Sequence, residues 1–432
     1  MTMRFLFRLP IPLLGLLMGG IVSAQVTETW TLERSLSEAA RNSNRLRASA
    51  QQVQAARASA RDANASQYPK LEFGGAYNYT SKVAALDIAF PNGPAIHREL
   101  GVNDAYDLAL TARAPIYSGG SLTERTRAEE SAARAAEHDL ATDSLRLAYD
   151  VRRAFFAALG AAKRAETAQQ SVNRLDRHLK ELQGAKEAGM ASDEMIIQTE
   201  AQVRQAEESV LNAEAEAKTA RMAFANLVGR PGEEISPADE LETTLAPVEA
   251  MSSQSRTDVA AMTARIEQTE HLTRAARGGF LPTLSAQAAY HYAKPGVDAL
   301  RNQWMYYGTV GANLAWTLWD WNSRAAKVAQ ARAGMKTLEA RKDELLQAID
   351  TRLATSRETM EAAQAARDKA TARVELERRR FELVQGRYRV GSTSESEFLD
   401  AQDDLTAAEL DRSAAAVKLR LAEADWINAA GR

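Results

Sequence analysis

The chain has 432 residues, a formal net charge of -3 and no cysteine. That mildly acidic balance argues against a nucleic-acid partner, and the lack of thiols excludes disulfides, thiolate metal sites and cysteine nucleophiles. Alanine, glutamate, arginine and glutamine are abundant while proline is scarce, the composition of long helices and coiled coils.

Residues 1–24 read as a secretory signal peptide. Arg4 and Arg8 form the positive end, residues 9–22 are apolar but broken by Pro10 and Pro12, and Val22-Ser23-Ala24 places small residues before a cut ahead of Gln25. Gln25, where a lipid anchor needs cysteine, implies a chain not lipidated at that end. After it, no apolar run reaches the roughly 20 residues of a spanning helix, so any membrane crossing must be a β-barrel.

The rest is written twice, at an offset of roughly 200 residues. In the first repeat, 25–229, a helical stretch reaches Gln67 and stops at Tyr68-Pro69-Lys70-Leu71. Strands are expected at about 71–80 and 106–117, a long helix at about 121–188 and another at about 191–228. Residues 230–256, richer in Pro, Gly and Ser, form a connector. In the second repeat, 257–432, the helix reaches Arg277 and stops at Leu281-Pro282-Thr283-Leu284. Strands follow at about 283–293 and 305–319, then helices at about 323–389 and 393–430. Each long helix would extend on the order of 100 Å. Apolar residues recur every three or four positions (Leu140, Leu145, Leu147, Val151, Phe155, Leu159) and alanine fills much of the seam, so helices can approach closely.

The four strand segments alternate with period two. Leu71, Phe73, Tyr77 and Tyr79 oppose Glu72, Asn78 and Thr80; Leu108 and Leu110 oppose Asp107 and Thr111. Tyr77, Tyr79, Tyr106, Tyr290, Tyr292, Trp304, Tyr306 and Tyr307 gather at the loop ends. Phe73, Tyr117, Trp316, Trp319 and Trp321 gather at the helix ends. Two aromatic girdles around an apolar band mark an outer-membrane barrel. His291 falls on the polar face, toward a lumen. Four strands cannot close, since closure takes about eight or more, so the chain must oligomerise. The loops 82–103 and 293–303 would lie outside the cell.

In this order of elements the chain resembles the TolC family of outer-membrane efflux proteins over nearly its whole mature length. Arg256-Thr257-Asp258 resembles the family's Arg-Pro-Asp entry to the second half, with Thr257 in place of proline. Ala114-Pro115-Ile116-Tyr117-Ser118-Gly119-Gly120 resembles the first strand-to-helix exit. Trp316-Thr317-Leu318-Trp319-Asp320-Trp321-Asn322 stands at the second exit but lacks the glycine pair common there. Arg387-Tyr388-Arg389-Val390-Gly391 followed by Glu397-Phe398-Leu399-Asp400 resembles the second helix-turn-helix tip.

The resemblance implies a mainly α fold with a β-barrel part. It implies a homotrimer whose single 12-stranded barrel in outer-membrane lipid continues as a periplasmic helical tunnel. A mixed belt would come from residues 230–256 and those just after Gln25. The implied function is passive export alongside an inner-membrane pump and a periplasmic adaptor. Glycine is needed at Gly189 and Gly391 wherever the helices reverse; the resemblance adds that Gly189, Met190, Val390, Gly391 and Ser392 face the adaptor. It also assigns Tyr388, Glu397 and Asp400 to a periplasmic gate, with a basic partner missing at Thr393. A type I secretion duct for polypeptides shares this architecture, and a periplasmic coiled-coil adaptor is a more distant alternative. His97, His138, His178, His271 and His291 have no metal-ligand spacing. With no phosphate loop or nucleophile motif, the sequence gives no sign of a metal, a cofactor or an enzyme. Cargo is not legible.

Overall fold

The computed structural model describes residues 28–88, 93–94, 96–99, 101–238, 241, 248–298 and 301–432; the expected signal peptide lies outside the described residues. The first repeat runs β1 (Glu28–Trp30), α1 (Leu32–Asn42), α2 (Asn44–Ala65), β2 (Lys70–Tyr79), β3 (Ala85–Ile88), β4 (Ile96–Glu99), β5 (Asp104–Tyr117), α3 (Ser121–Glu187) and α4 (Asp193–Leu227). After β6 (Ile235–Pro237) the second runs α5 (Thr257–Gly278), β7 (Thr283–Lys294), β8 (Met305–Ala315), α6 (Ser323–Arg389) and α7 (Glu395–Ala429). No helix among the described residues is long and apolar enough to cross a membrane.

The duplication is metrical. Helices α3 and α6 each have 67 residues, and α4 and α7 each have 35. Landmarks recur at a constant offset of 202 residues: 119 to 321, 189 to 391, 229 to 431. The backbone signals explain the shared length. Serine hydroxyls cap the returning helices, Ser192 accepting from the Met195 N–H at 3.3 Å and Ser394 from the Glu397 N–H at 3.2 Å. All four helices end on a glycine with φ between 70° and 80°. At each, the next residue's N–H reaches back five residues, as from Met190 to the Ala185 carbonyl and from Ser392 to the Arg387 carbonyl, which satisfies carbonyls the helix end would orphan.

Four strands form one antiparallel sheet in the order β2-β5-β7-β8, so the two hairpins join through β5 and β7. The register puts Lys70, Glu72, Asp107, Thr111, Gln287, His291, Thr309 and Asn313 on one face, and Leu71, Phe73, Leu108, Leu110, Tyr290, Val310 and Leu314 on the other. His291 lies 3.0 Å from Asp107 and stacks on Tyr307, all on the polar face. The apolar face is bare: Phe73 is 74% exposed and Val310 90%. Strand β8 stops at Ala315, four residues before the expected 319. Its partner β7 begins at Thr283, and Pro282 has no N–H with which to extend the ladder. The loop expected at 82–103 contains the small hairpin of β3 and β4.

The helices lie in one layer. α3 packs against α2 and α4 on one side and α5 and α7 on the other, and α6 packs on α5 and α7. The main core sits midway, where Trp30, Phe155, Phe156, Phe224 and Ile235 are buried. There β1 pairs in parallel with β6, joining residues 28–30 to the connector.

Two glycines of α3 give opposite tests of this packing. A Cβ at Gly160 would stand 2.3 Å from Val417 on α7, whereas Gly184 has nothing within 4 Å. Gly160→Ala should therefore destabilise by about 1–3 kcal/mol through overpacking. Gly184→Ala should be neutral or stabilise by up to about 1 kcal/mol through helix propensity. Thermal melts of the two variants check this.

Candidate functional site at the hairpin tips

Both tips are built alike and finished differently. Gly189 (φ 72°) and Gly391 (φ 70°) close the reversals with nothing near their Cα hydrogens, so they serve the turn. Met190 and Val390 stand at the extreme ends, each 77% exposed. The Ser392 side chain turns inward, its hydroxyl donating to the Arg387 carbonyl at 3.0 Å.

Position by position, the first tip carries Lys186 and Asp193, an ion pair with half or more of each side chain exposed. The same positions in the second tip carry Tyr388 and Glu395. This pair turns inward, and Glu395 is buried. Glu395 Oε1 accepts from His178 Nε2 at 2.7 Å and from the Thr199 hydroxyl at 3.1 Å. Phe398 lies against His178 with ring centroids 4.2 Å apart and against Tyr388 at 5.0 Å. Residues from α3, α4, α6 and α7 thus meet in one cluster, two of them, Glu395 and Phe398, from α7, and it bolts the two hairpins together. Glu395 Oε2 is buried without a hydrogen-bond partner among the described residues.

Burial opposes charge on Glu395, but the hydrogen bond from His178 and the facing Tyr388 and Thr199 hydroxyls outweigh it, and the carboxyl is held below its usual range. Burial and the Glu395 carboxylate push the Tyr388 phenol up, so it stays protonated.

The other expected gate residues lie apart from this cluster. Glu397 takes a hydrogen bond from the Thr393 hydroxyl and an ion pair from Arg387 Nη2 at 2.6 Å. The Thr393 bond and Arg387 hold its carboxyl below the usual value. The base absent at position 393 is thus supplied one turn before the tip, by Arg387. Asp400, three residues on, is exposed. Tyr388 belongs to the buried cluster rather than to the Glu397 and Asp400 face. Sequence reasoning passed over His178 and Glu395; the signal available was the change from Lys186 and Asp193 to Tyr388 and Glu395 at the repeat offset.

At the far end of the molecule, the aromatic residues form a row across the sheet. Tyr77 touches Tyr106 at 5.0 Å, Tyr106 touches Trp304 at 5.9 Å, Trp304 touches Tyr292 at 4.6 Å and Tyr292 touches Tyr306 at 4.4 Å. Tyr290 stacks on Tyr306 and Tyr79 is exposed. At the helix end, Trp316 and Trp319 are exposed, and the Trp316 indole donates to the Phe280 carbonyl at 3.2 Å.

The chain matches the family model for outer membrane efflux proteins over residues 35–230 and 250–432. No curated protein matches it in sequence. Among solved structures it is similar to CusC, from a study of transmembrane channel formation, with a TM-score of 0.81 and 17% identity over 94% of this chain and 93% of that one. It is also similar to the CmeC outer membrane channel of Campylobacter jejuni (0.78, 16%, covering 98% and 94%). The open state of the MtrE outer membrane channel of Neisseria gonorrhoeae is a third (0.78, 18%, covering 93% and 88%).

Glu395→Gln keeps the shape of the cluster and removes its charge. A carboxyl with a depressed folded pKa contributes stability above its unfolded value, near 4.3, and loses it as pH falls through the folded value. The wild-type advantage over Glu395→Gln in a thermal melt should therefore be constant above about pH 5 and shrink below about pH 4. Glu395→Ala should cost about 1–3 kcal/mol at pH 7 by leaving the buried His178 ring nitrogen without its partner, and proteolysis at the tips should accelerate.

Proposed function

The chain belongs to the outer membrane efflux protein family, and we propose that it is the outer-membrane channel of a tripartite efflux system, passively conducting cargo from an inner-membrane pump and periplasmic adaptor to the exterior of a Gram-negative cell. One observation carries this reading: a four-stranded sheet, apolar on one face and polar on the other, has two unpaired edges and runs on into helices of roughly 100 Å.

An open edge in lipid leaves backbone groups without partners. Strands β2 and β8 run in opposite directions, so β8 of one copy can continue the ladder onto β2 of the next. Three copies then give one antiparallel barrel of twelve strands, within the size range of outer-membrane barrels. The polar face with Asp107, His291, Thr111 and Asn313 lines the lumen. The apolar face meets lipid between aromatic rows at Tyr77, Tyr79, Tyr106, Tyr290, Tyr292, Trp304 and Tyr306 and at Trp316 and Trp319.

At the other end, threefold symmetry turns Glu397 and Asp400 into rings of carboxylates, which favour cations and narrow an entrance. Tyr388 holds the second hairpin in place behind them. The exposed tips around Gly189, Met190, Val390, Gly391 and Ser392 are left for the adaptor.

Planar-bilayer recording tests the reading. The detergent-extracted oligomer should form cation-selective pores, and Glu397→Ala with Asp400→Ala should lose several-fold of that selectivity and close less often. Absence of conductance, or release from membranes by carbonate without detergent, would overturn the channel; unchanged selectivity and closure would remove the gate assignment alone. Separately, Val310→Arg on the apolar face should cost about 2–4 kcal/mol in a bilayer, measured as a shift in urea unfolding from liposomes.

A further inference from the structure

The polar face of the sheet is not uniform in charge. Where β2 begins, at the helix end, the register sets Lys70 opposite Arg113, Arg113 opposite Gln287 and Gln287 opposite Gly311. Two cations thus stand directly across from one another on one face, with Cβ atoms about 5 Å apart, an arrangement that destabilises a sheet. The next row toward the loops holds a single charge, Glu72, opposite Thr111.

Among the described residues, nothing offsets the pair. Neither the Lys70 nor the Arg113 side chain makes an ion pair or a hydrogen bond, with Glu72 or with any other group. Asp107 lies six residues along β5 from Arg113, about 20 Å away, and is engaged by His291. No carboxylate can arrive from a neighbouring copy's β8 either. That strand, Met305–Ala315, contains no charged residue, so any register it takes against β2 leaves Lys70 unpaired.

A cleft of about 200 Å³ opens over the two cations, with Gln287, Ser285 and Tyr68 also lining it. Through Ser66 it adjoins a groove among the helices, where Asp62 and Glu129 balance Arg125 and Lys327, so the excess of positive charge belongs to the cleft. The lining is that of a receptor for an oxyanion. A guanidinium fork can give two parallel hydrogen bonds to a carboxylate or sulfonate, and an ammonium adds a point charge. The Gln287 amide and the Ser285 hydroxyl, both without side-chain partners among the described residues, are neutral donors beside them. Tyr68, 60% exposed, offers a flat apolar surface.

We propose that this cleft is a binding subsite for aromatic anions, holding a sulfonate or carboxylate on Lys70 and Arg113 with Gln287 and Ser285, and the ring against Tyr68. This rests on the channel reading, which turns the polar face toward the lumen, and deepens it by naming a class of cargo. In the closed barrel the subsite recurs in each copy, a collar of cations where cargo passes from the tunnel into the barrel. The carboxylates at Glu397 and Asp400 lie at the other end of helices roughly 100 Å long, many screening lengths away. An acidic entrance and a basic collar therefore act independently along one path.

The cysteine-free sequence permits a direct test in the full-length, detergent-purified protein. At about 0.1 M salt, where the Debye length is about 10 Å, a sulfonate-bearing methanethiosulfonate should modify Gln287→Cys several-fold faster than a trimethylammonium-bearing one, each rate normalised to a free thiol. Lys70→Gln with Arg113→Gln should abolish that preference, and Glu72→Gln should enlarge it. In ligand-observed NMR, benzenesulfonate should bind the cysteine-free protein saturably, and inorganic sulfate should displace it only at higher concentration. Lys70→Gln with Arg113→Gln should raise the dissociation constant roughly tenfold or more, Tyr68→Ala should raise it by less, and Lys70→Arg should preserve binding. Gln287→Glu sets a carboxylate across from Arg113 while keeping both cations, and should also abolish binding if the double variant fails to assemble. Pores that conduct normally, with no reagent preference or with benzenesulfonate binding unchanged in these variants, would overturn the subsite and leave the channel standing. Equal binding of sulfate and benzenesulfonate, indifferent to Tyr68→Ala, would overturn the aromatic class. A chain that forms no pores would overturn the channel, and the lumen placement with it.

Discussion

The architecture depends on where the backbone groups of two sheet edges find partners. Among the described residues, strands β2 and β8 each leave a row of N–H and C=O groups without a neighbouring strand, beside a face carrying Phe73, Val310 and Leu314. Water can satisfy such a row, but lipid cannot. The apolar face and the open edges are compatible only if other strands complete the ladder. That single requirement makes the chain a segment of a wall, and the helices below inherit the same incompleteness.

Duplication supplies half of the solution. The two repeats share helix lengths to the residue because the same devices start and stop them: a capping serine after each tip and a left-handed glycine at each end. Inside that common frame the side chains have diverged. Lys186 and Asp193 make an ion pair on the surface of one tip, whereas Tyr388 and Glu395 fold into a buried cluster with His178 and Thr199 in the other. The backbone therefore sets where the tips are, and the divergence of two positions sets how firmly one hairpin is held to the other.

Helices of this length were legible because proline is absent from them, alanine and leucine keep period, and a Gly followed by Ser marks each reversal. The strands were legible from alternation, since Leu71, Phe73 and Tyr77 can share a face only in extended chain. What the sequence did not disclose follows from long-range partners. The end of β8 depends on Pro282, in a different strand's approach. The turn at Trp321 and Asn322 matches Gly119 and Gly120 in conformation but not in composition, so the missing glycines hid a conserved geometry. Glu395 reads as an ordinary first-turn acid, and only the fold brings His178, 217 residues away, to its carboxylate. Arg387 likewise replaces a base expected at 393, because it faces Glu397 across the turn.

The equal length of α3 and α6 restricts how such a chain can evolve. One residue inserted in either helix would rotate every position beyond it by about 100°, turning a seam toward water and moving one tip out of level with its twin. Single insertions and deletions in the wall are thus penalised twice, once in packing and once in symmetry. Length variation among descendants should collect in the segments that close β2 onto β5 and β7 onto β8, or arrive in the wall as paired changes that keep both repeats in phase.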